Sequence, residues 1–399
     1  MKKKIHPALE IIPARESVRL VIAEWGRELE ATRLQLGLLQ CFEEPRSVDE
    51  VLSEHPFQRK SSELFLEKAQ KYGFLLDVNE KGDSRFQDLC GVPLTFARAP
   101  VYDAAEPSPF VVLGIPWDRD VTGRPGTRMG PQSIRQASMS SRYQVDPITF
   151  SPLGFHDYAT GETLLRDVHF ADAGDVWLPF GEDTAEARKR MTRVIGSFLS
   201  HDAIPVVFGG DHSITGPVLH AYRELGPMQI VHFDAHTDLG ELGVGKSLHH
   251  GNVMSWLLQE CPNLVAIHQI GLRGIYDAHV HVEHPKVRQE GMYSFRRAGI
   301  DALLDKIDPD VPAWISLDID VVDPMFAPAT GTPVAGGMFP HEIVEAVRTV
   351  AASLPAFGMD IVEVGEALSH ADGTASLATE CAFSFMQGVV DAQLGEDGN

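Results

Sequence analysis

Gln229-Ile230-Val231-His232-Phe233-Asp234-Ala235-His236-Thr237-Asp238 joins a short apolar run to a knot of acid and imidazole groups. Residues 229–234 read as a buried strand. Asp234, His236 and Asp238 then follow at i, i+2, i+4, a spacing that puts all three on one side of an extended chain. Left unpaired at the end of a buried strand, such groups would cost on the order of several kcal/mol. A bound cation removes that cost.

Outward from this stretch the pattern repeats. Residues 111–116, 205–210, 264–271, 313–318 and 357–364 are further short apolar runs. Helical stretches lie between them, over about 214–225, from Pro340 onward, and after the last run. Pro340 suits the first helical position, where its missing N–H is not needed. Strands alternating with helices predict a three-layer α/β fold, a parallel sheet with helices on both faces. Functional groups in such sheets gather at the carboxyl ends of the strands.

Two more runs end in the same chemistry: Gly209-Gly210-Asp211-His212-Ser213 and Asp318-Ile319-Asp320-Val321-Val322-Asp323-Pro324. Singly, each has a plain structural reading, as a capped loop, a strand end or an Asp-Pro turn. Together they offer His212, Asp234, His236, Asp238, Asp318 and Asp320. Two imidazoles and four carboxylates suit a pair of divalent ions about 3.5–4 Å apart. The mixed nitrogen and oxygen set favours two Mn²⁺, admits nickel, iron or cobalt, and disfavours calcium.

These segments resemble the signatures of the ureohydrolases: arginase, agmatinase, formiminoglutamase and their relatives. Residues 209–213, 234–238 and 316–324 match nearly letter for letter, residues 123–135 resemble a further family block, and the likeness spans roughly 108–390. It implies an arginase-like fold in which His212, Asp234, Asp238 and Asp320 hold or bridge two metals and His236 and Asp318 complete the set. It also implies catalytic roles for His250, as proton shuttle, for Glu363, as the carboxylate that grips a guanidinium substrate, and for Asp238 beside them. The chemistry agrees: a planar cation suits a fork-shaped carboxylate, and a leaving amine needs a proton from a group titrating near neutrality. The reaction the resemblance implies is attack of an activated water on the guanidinium carbon, with release of urea. Family members are commonly trimers or hexamers, so a homo-oligomer is expected.

Two departures set free arginine aside as the expected substrate. In the loop 239–248, Lys246 and Leu248 stand where free-arginine enzymes carry small polar groups. Val364-Gly365-Glu366 replaces the usual Asn-Pro after the glutamate. The N-terminal part suggests another substrate. Residues 9–12, 17–25 and 28–35 read as strands, and 36–42, 47–52 and 61–72 as helices. Ser47-Val48-Asp49-Glu50 is a capping box, Gly73 a helix stop, and 74–76 a closing strand. This winged-helix-like order resembles the recognition elements of ribosomal-peptide-modifying enzymes, which take a leader peptide as an added strand. The expected organisation is a peptide-recognition-like domain over 1–90, a proline-bearing linker over 91–108 and a catalytic domain over 109–392. The expected reaction is conversion of peptidyl-arginine to peptidyl-ornithine in a precursor peptide bound through residues 1–90. The alternatives are hydrolysis of a small guanidine (agmatine, guanidinobutyrate or guanidine), or a non-catalytic binding protein with a decayed site. The intact ligand set argues against decay.

Composition bounds the partners. The 399 residues are 44% hydrophobic and 23% charged, enough for a full core. Net charge is −22, yet residues 1–90 carry only 14 of 34 basic and 16 of 56 acidic side chains, so nearly all of the imbalance lies beyond them. An acidic body repels nucleic acid and attracts cations. No apolar run reaches the roughly 18 residues of a membrane span, and Met1-Lys2-Lys3-Lys4-Ile5-His6-Pro7 leads into no apolar stretch, so neither a membrane nor a signal peptide is expected. Four separated cysteines without a CxxC predict a reduced, cytoplasmic protein.

Overall fold

The computed structural model describes residues 2–14, 17–22, 27–55, 59–71, 73–78, 94–105, 108–179, 181–242, 247–277, 281–366 and 372–396. They form two compact units, Met1–Pro93 with Gln144–Leu153, and Leu94–Tyr143 with Gly154–Asn399.

The first unit holds two small antiparallel sheets. Strands β2 (Glu10–Pro13), β3 (Ser17–Ile22) and β4 (Arg27–Thr32) pair in that order; β1 (Lys2–Ile5) lies between β5 (Arg46–Ser47) and β6 (Leu75–Asp77). Helices run over Arg33–Gln40, Val48–Glu54 and Arg59–Lys71. Leu20, Ile22, Leu39, Phe42, Phe65 and Phe74 are buried at its centre. The capping box at Ser47 forms, with Glu50 N–H donating to Ser47 Oγ at 3.2 Å and Ser47 N–H to Glu50 Oε2 at 3.0 Å. The strand expected over 28–35 instead stops at Thr32, because Thr32 and Gln35 make a second capping box that starts the helix three residues early. Strand β1 was not expected from its three lysines; Lys3 is buried and paired with Asp77 at 2.9 Å. Residues 23–25 and Tyr72 of the expected elements lie outside the described residues. The excursion Gln144–Leu153 completes this unit: Phe150 packs against its core, with the Lys68 ammonium 4.3 Å from the ring centre.

The second unit is built on an eight-stranded sheet. Its strands are β7 (Phe110–Gly114), β10 (Phe170–Asp175), β11 (Ile204–Phe208), β12 (Met228–Phe233), β13 (Leu264–Leu272), β14 (Val287–Gly291), β15 (Ala313–Asp318) and β16 (Ala356–Val362); β8 (Phe155–His156) and β9 (Thr163–Leu164) form a separate hairpin. All neighbours in the order β10-β7-β11-β16-β15-β12-β13-β14 are parallel. Side chains alternate between two cores, as an extended chain requires. Val206, Phe208, Val231, Phe233, Ile315 and Leu317 face the helices Gly130–Ala137, Met292–Leu304, Pro340–Ser353 and Thr374–Glu396; Val207, Ile230 and Trp314 face Thr184–Leu199, Thr215–Leu219 and Val253–Glu260. The outermost strands, β10 and β14, were absent from the sequence reading; Phe170-Ala171-Asp172-Ala173-Gly174-Asp175 and Val287-Arg288-Gln289-Glu290-Gly291 are too polar to stand out as buried runs.

Of the expected linker, residues 91–93, 106 and 107 lie outside the described residues. The described part of that stretch, from Leu94, belongs to the second unit: Phe96, Ala97 and Ala99 are buried, and the Phe96 ring packs 4.9 Å from Phe383 and 5.2 Å from Phe208. No helix among the described residues is long and apolar enough to cross a membrane.

Strand order places the site. The chain leaves β11, skips two positions to β12, and returns later to fill the gap with β15 and β16. The carboxyl ends of these four central strands carry Asp211 and His212, Asp234 to Asp238, Asp318 and Asp320, and Glu363. This is where an open α/β sheet forms its crevice.

Candidate active site

His212 follows β11 in a turn capped by Asp211, whose carboxylate accepts the Ser213 N–H at 3.0 Å. The turn needs the preceding glycine: a Cβ on Gly210 would stand 1.6 Å from the Trp117 carbonyl oxygen. His212 is fully buried. Its Nδ1 faces Asp238 at 3.0 Å and Asp234 and Asp318 at 3.2 Å each. Its Nε2 lies 3.0 Å from Ser316 Oγ, and Ser316 donates its only proton to Asp360 at 2.7 Å. The hydroxyl must therefore accept from His212, which places an imidazole proton on Nε2 and leaves Nδ1 to the carboxylates. Three carboxylate oxygens surround Nδ1, and against burial they raise the His212 pKa well above its ordinary value. Such an arrangement asks for a cation at its centre.

Asp234 faces two ways. Its Oδ2 is near His212 Nδ1 and 2.9 Å from His232 Nε2; its Oδ1 is 3.4 Å from His236 Nδ1. His236 Nδ1 also lies 2.9 Å from Asp320 Oδ2. Two groups could each hold a cation, one of His212, His232, Asp234 and Asp238, with Asp318 Oδ2 3.2 Å from His212 Nδ1, the other of Asp234, His236 and Asp320; Asp234 is common to both. All six sequence-predicted ligands are thus brought together.

The electrostatics agree. Burial and the charges of Asp320 and Asp234 push Asp318 well above the usual carboxylate range. Burial, with Asp234, pushes Asp320 to about 6. Burial would also raise Asp234, but the imidazoles of His232, His212 and His236 hold it well below the ordinary value. Against its own burial, His236 is raised to about 12 by Asp234 and Asp320. Carboxylates crowded this way repel one another unless a positive charge sits between them. His232 Nδ1 lies 3.0 Å from the Gln269 amide nitrogen, which turns the His232 Nε2 proton toward Asp234 Oδ2 at 2.9 Å and supports that carboxylate from behind the cluster.

Glu363 follows β16 and is buried. Its Oε1 accepts the His212 N–H at 3.0 Å and lies 3.2 Å from His250 Nδ1, while its Oε2 is buried with no hydrogen-bond partner. Backbone φ is +59° at Glu363 and +50° at Asp238. Non-glycine residues hold that conformation where the surroundings impose it, characteristically at functional sites. His250 Nε2 accepts the Thr122 N–H at 2.9 Å, so its proton rests on Nδ1, toward Glu363. Burial disfavours the charged imidazolium, but Glu363 outweighs it and raises the His250 pKa above its ordinary value. Burial and the charge of Glu363 also lift Asp211 to about 7.

A model of the arginase family matches residues 108–388. This chain belongs to the arginase family. It is 30% identical to the agmatinase of Bacillus subtilis (strain 168) over 310 residues, covering 77% of this chain and 99% of that protein. It is 34% identical to the proclavaminate amidinohydrolase of Streptomyces clavuligerus over 300 residues, covering 72% and 90%. Among solved structures, a hypothetical agmatinase from Burkholderia thailandensis superposes with a TM-score of 0.65 at 28% identity, covering 77% of this chain and 92% of that one. The chain is an arginase-family hydrolase, of a family that works with two metal ions, and its buried donors fit such a pair.

Several supporting groups escaped the sequence reading. His232 stands two residues before Asp234 on the same strand, and period two could have flagged it. Asp360 is a lone carboxylate inside the apolar run Met359-Asp360-Ile361; it accepts from Trp314 Nε1 at 2.7 Å as well as from Ser316. Leu248, expected near the substrate, is buried in the core, and Lys246 lies outside the described residues.

Proposed function

We propose that this chain hydrolyses the guanidino group of an arginine side chain carried in a peptide, releasing urea and leaving ornithine. The observation that carries the chemistry is Glu363: a buried carboxylate with one unpartnered oxygen, set against the cluster of metal-type donors. A guanidinium offers that oxygen a charge-assisted hydrogen bond and neutralises the charge. His212, Asp234, His236, Asp238, Asp318 and Asp320 would hold two divalent ions, with manganese the ion proposed for this mixed donor set. When bound, such ions lower the pKa of a water toward neutrality and so supply the nucleophile. Glu363 fixes the planar cation so that its carbon meets the water. The carbon–nitrogen bond to the side chain breaks, the water oxygen becomes the urea carbonyl, and His250 passes a proton to the departing amine.

Glu363→Gln is expected to raise KM for the guanidine about 10–100-fold, the scale of a lost charge-assisted pair. Urea release against substrate concentration checks this, and an unchanged KM would remove Glu363 from guanidinium binding. His250→Asn is expected to lower kcat about 100-fold or more, the range of general acid–base contributions, at unchanged metal content. Metal analysis of the purified variant separates the roles; an emptied site would make His250 a structural support of the ligands instead.

The peptide part rests on the first unit. It has its own core, and its β2-β3-β4 sheet ends on strands that lack an outer partner among the described residues. An unpaired strand edge is a template for an extended peptide. The competing reading, a small free guanidine, draws on the relatives named agmatinase and proclavaminate amidinohydrolase.

A further inference from the structure

His250, the residue that passes the proton in the proposed reaction, stands on neither a strand nor an α-helix. It follows the irregular residues 247–249 and opens a 3₁₀ turn. A second irregular segment, 115–126, grips it. His250 Nε2 accepts the Thr122 N–H at 2.9 Å and lies 2.7 Å from Thr122 Oγ1, and the His250 N–H donates to the Asp120 carbonyl at 3.3 Å. Sites on loops are held less precisely than sites on helices and strands, yet a general acid acts only within hydrogen-bond reach of the atom it serves.

The helix Thr184–Leu199 supplies a rigid hold. Arg188, on its second turn, donates from one nitrogen, Nη2, to two acceptors: Asp120 Oδ2 at 2.9 Å and the Leu248 carbonyl at 2.7 Å. That nitrogen has two hydrogens, one for each. It joins the residue two before Thr122 to the residue two before His250. Asp120 Oδ2 also accepts from Trp117 Nε1 at 2.6 Å and from Ser213 Oγ at 3.3 Å, so the carboxylate is fixed from several sides. The Arg188 and Asp120 side chains are 20% and 13% exposed, and a pair so placed is screened less than one at the surface. Hydrogen bonds between charged partners are also the stronger kind.

We propose that Arg188 is a positioning residue for proton transfer: it clamps Asp120 to Leu248, and so holds Thr122 against the His250 ring. This rests on the reading that His250 protonates the departing amine. With the clamp in place, Thr122 covers Nε2 and the Nδ1 proton stays turned toward Glu363. Without it, the two irregular segments are free to part and the ring leaves its place. A misplacement of about 1 Å, even from a change remote from the chemistry, costs about 10²-fold in rate. Arg188 acts through His250 and leaves the metal donors as they are.

The test uses the full, Mn²⁺-loaded chain carrying Arg188→Met, which keeps an unbranched stem and removes the donors. With Nα-acetyl-arginine N-methylamide and agmatine as substrates, kcat for urea release is expected to fall about 10–100-fold at unchanged KM and metal content. Arg188→Lys, whose single nitrogen also donates more than once, should keep most of the turnover. In a His250→Asn background Arg188→Met should cost nothing further, since residues acting as one unit are not additive. Carbethoxylation by diethyl pyrocarbonate, read by mass spectrometry, needs no turnover. The reagent attacks an unprotonated imidazole nitrogen, which in His250 is the Nε2 that Thr122 covers. Arg188→Met should therefore speed modification of His250 several-fold and leave His268, equally buried at 8% exposure, unchanged. An unchanged rate at His250, a rise at both histidines, or an equal loss of kcat with and without His250 overturns the clamp. Loss of metal overturns it too, and makes Arg188 a support of the turn that carries His212. If neither compound yields urea, the hydrolytic reading falls, while faster carbethoxylation of His250 alone still upholds the clamp.

Discussion

Chelation of the full chain is expected to abolish urea release, and Mn²⁺ to restore it; in Asp234→Asn no ion should restore it. Among the described residues, Asp234 is the member common to both groups that could hold a cation, Oδ2 toward His212 and Oδ1 toward His236. Asparagine keeps the shape but removes the charge and one acceptor oxygen. Loss of such a shared ligand should exceed the roughly 10–100-fold cost of losing an outer-shell partner of a metal site. The fold should survive, because the carboxylate contributes little apolar packing and sits among like charges. Thermal unfolding is the second readout. Ligands that bind only the folded state stabilise it, so added Mn²⁺ should raise Tm in the unsubstituted protein and not in Asp234→Asn. His236→Ala should lose turnover in the same way. Full activity after metal stripping, confirmed by elemental analysis, would sink the two-metal reading.

The site was more legible than its scaffold, for a physical reason. Asp234, His236 and Asp238 announce themselves because charged groups at the end of an apolar strand are costly without a cation. The four central strands were equally visible, since burial on both faces makes them continuous apolar runs. The outer strands β10 and β14 carry Asp172, Asp175, Arg288 and Glu290, and lose that signal. Asp172 is buried all the same, because Arg135 forks onto it at 2.8 and 2.9 Å. Such a pair joins residues 37 positions apart, and no local pattern predicts it. Ser316 and Asp360 are hidden for the same reason: their roles come from β15 lying beside β16, where Ser316 is registered directly against Asp360. In the first unit the error was local. Thr32 and Gln35 spell a capping box as clear as Ser47 and Glu50, but they follow a strand-like alternation that masked them.

Removing the first unit is expected to cut turnover of a long arginine-containing peptide about 100-fold, while hydrolysis of a small guanidine by the same truncated chain persists. A peptide lying along a strand edge would bring its arginines to the metal site at raised effective concentration, and tethering of that kind is worth about 10²–10⁴. The structure alters how the truncation must be made. Residues Gln144–Leu153 belong to the first unit, although 94–143 and 154–399 form the second. Deleting residues 1–90 alone would strip the partners from Phe150, which packs against the first core, and would leave the Pro147 carbonyl without the Gln35 side chain that donates to it. An aggregating protein would then mimic loss of function. The suitable form lacks residues 1–90 and carries Phe150→Ser, and it should be monodisperse and metal-loaded before assay. Urea release is then compared between full-length and truncated forms on a peptide and on a small guanidine. A peptide rate that falls with truncation while the small-guanidine rate persists supports substrate choice by the first unit. Equal peptide rates in the two forms, or a full-length enzyme that is brisk on the small guanidine and silent on every peptide, would leave a small-molecule hydrolase whose first unit does something else.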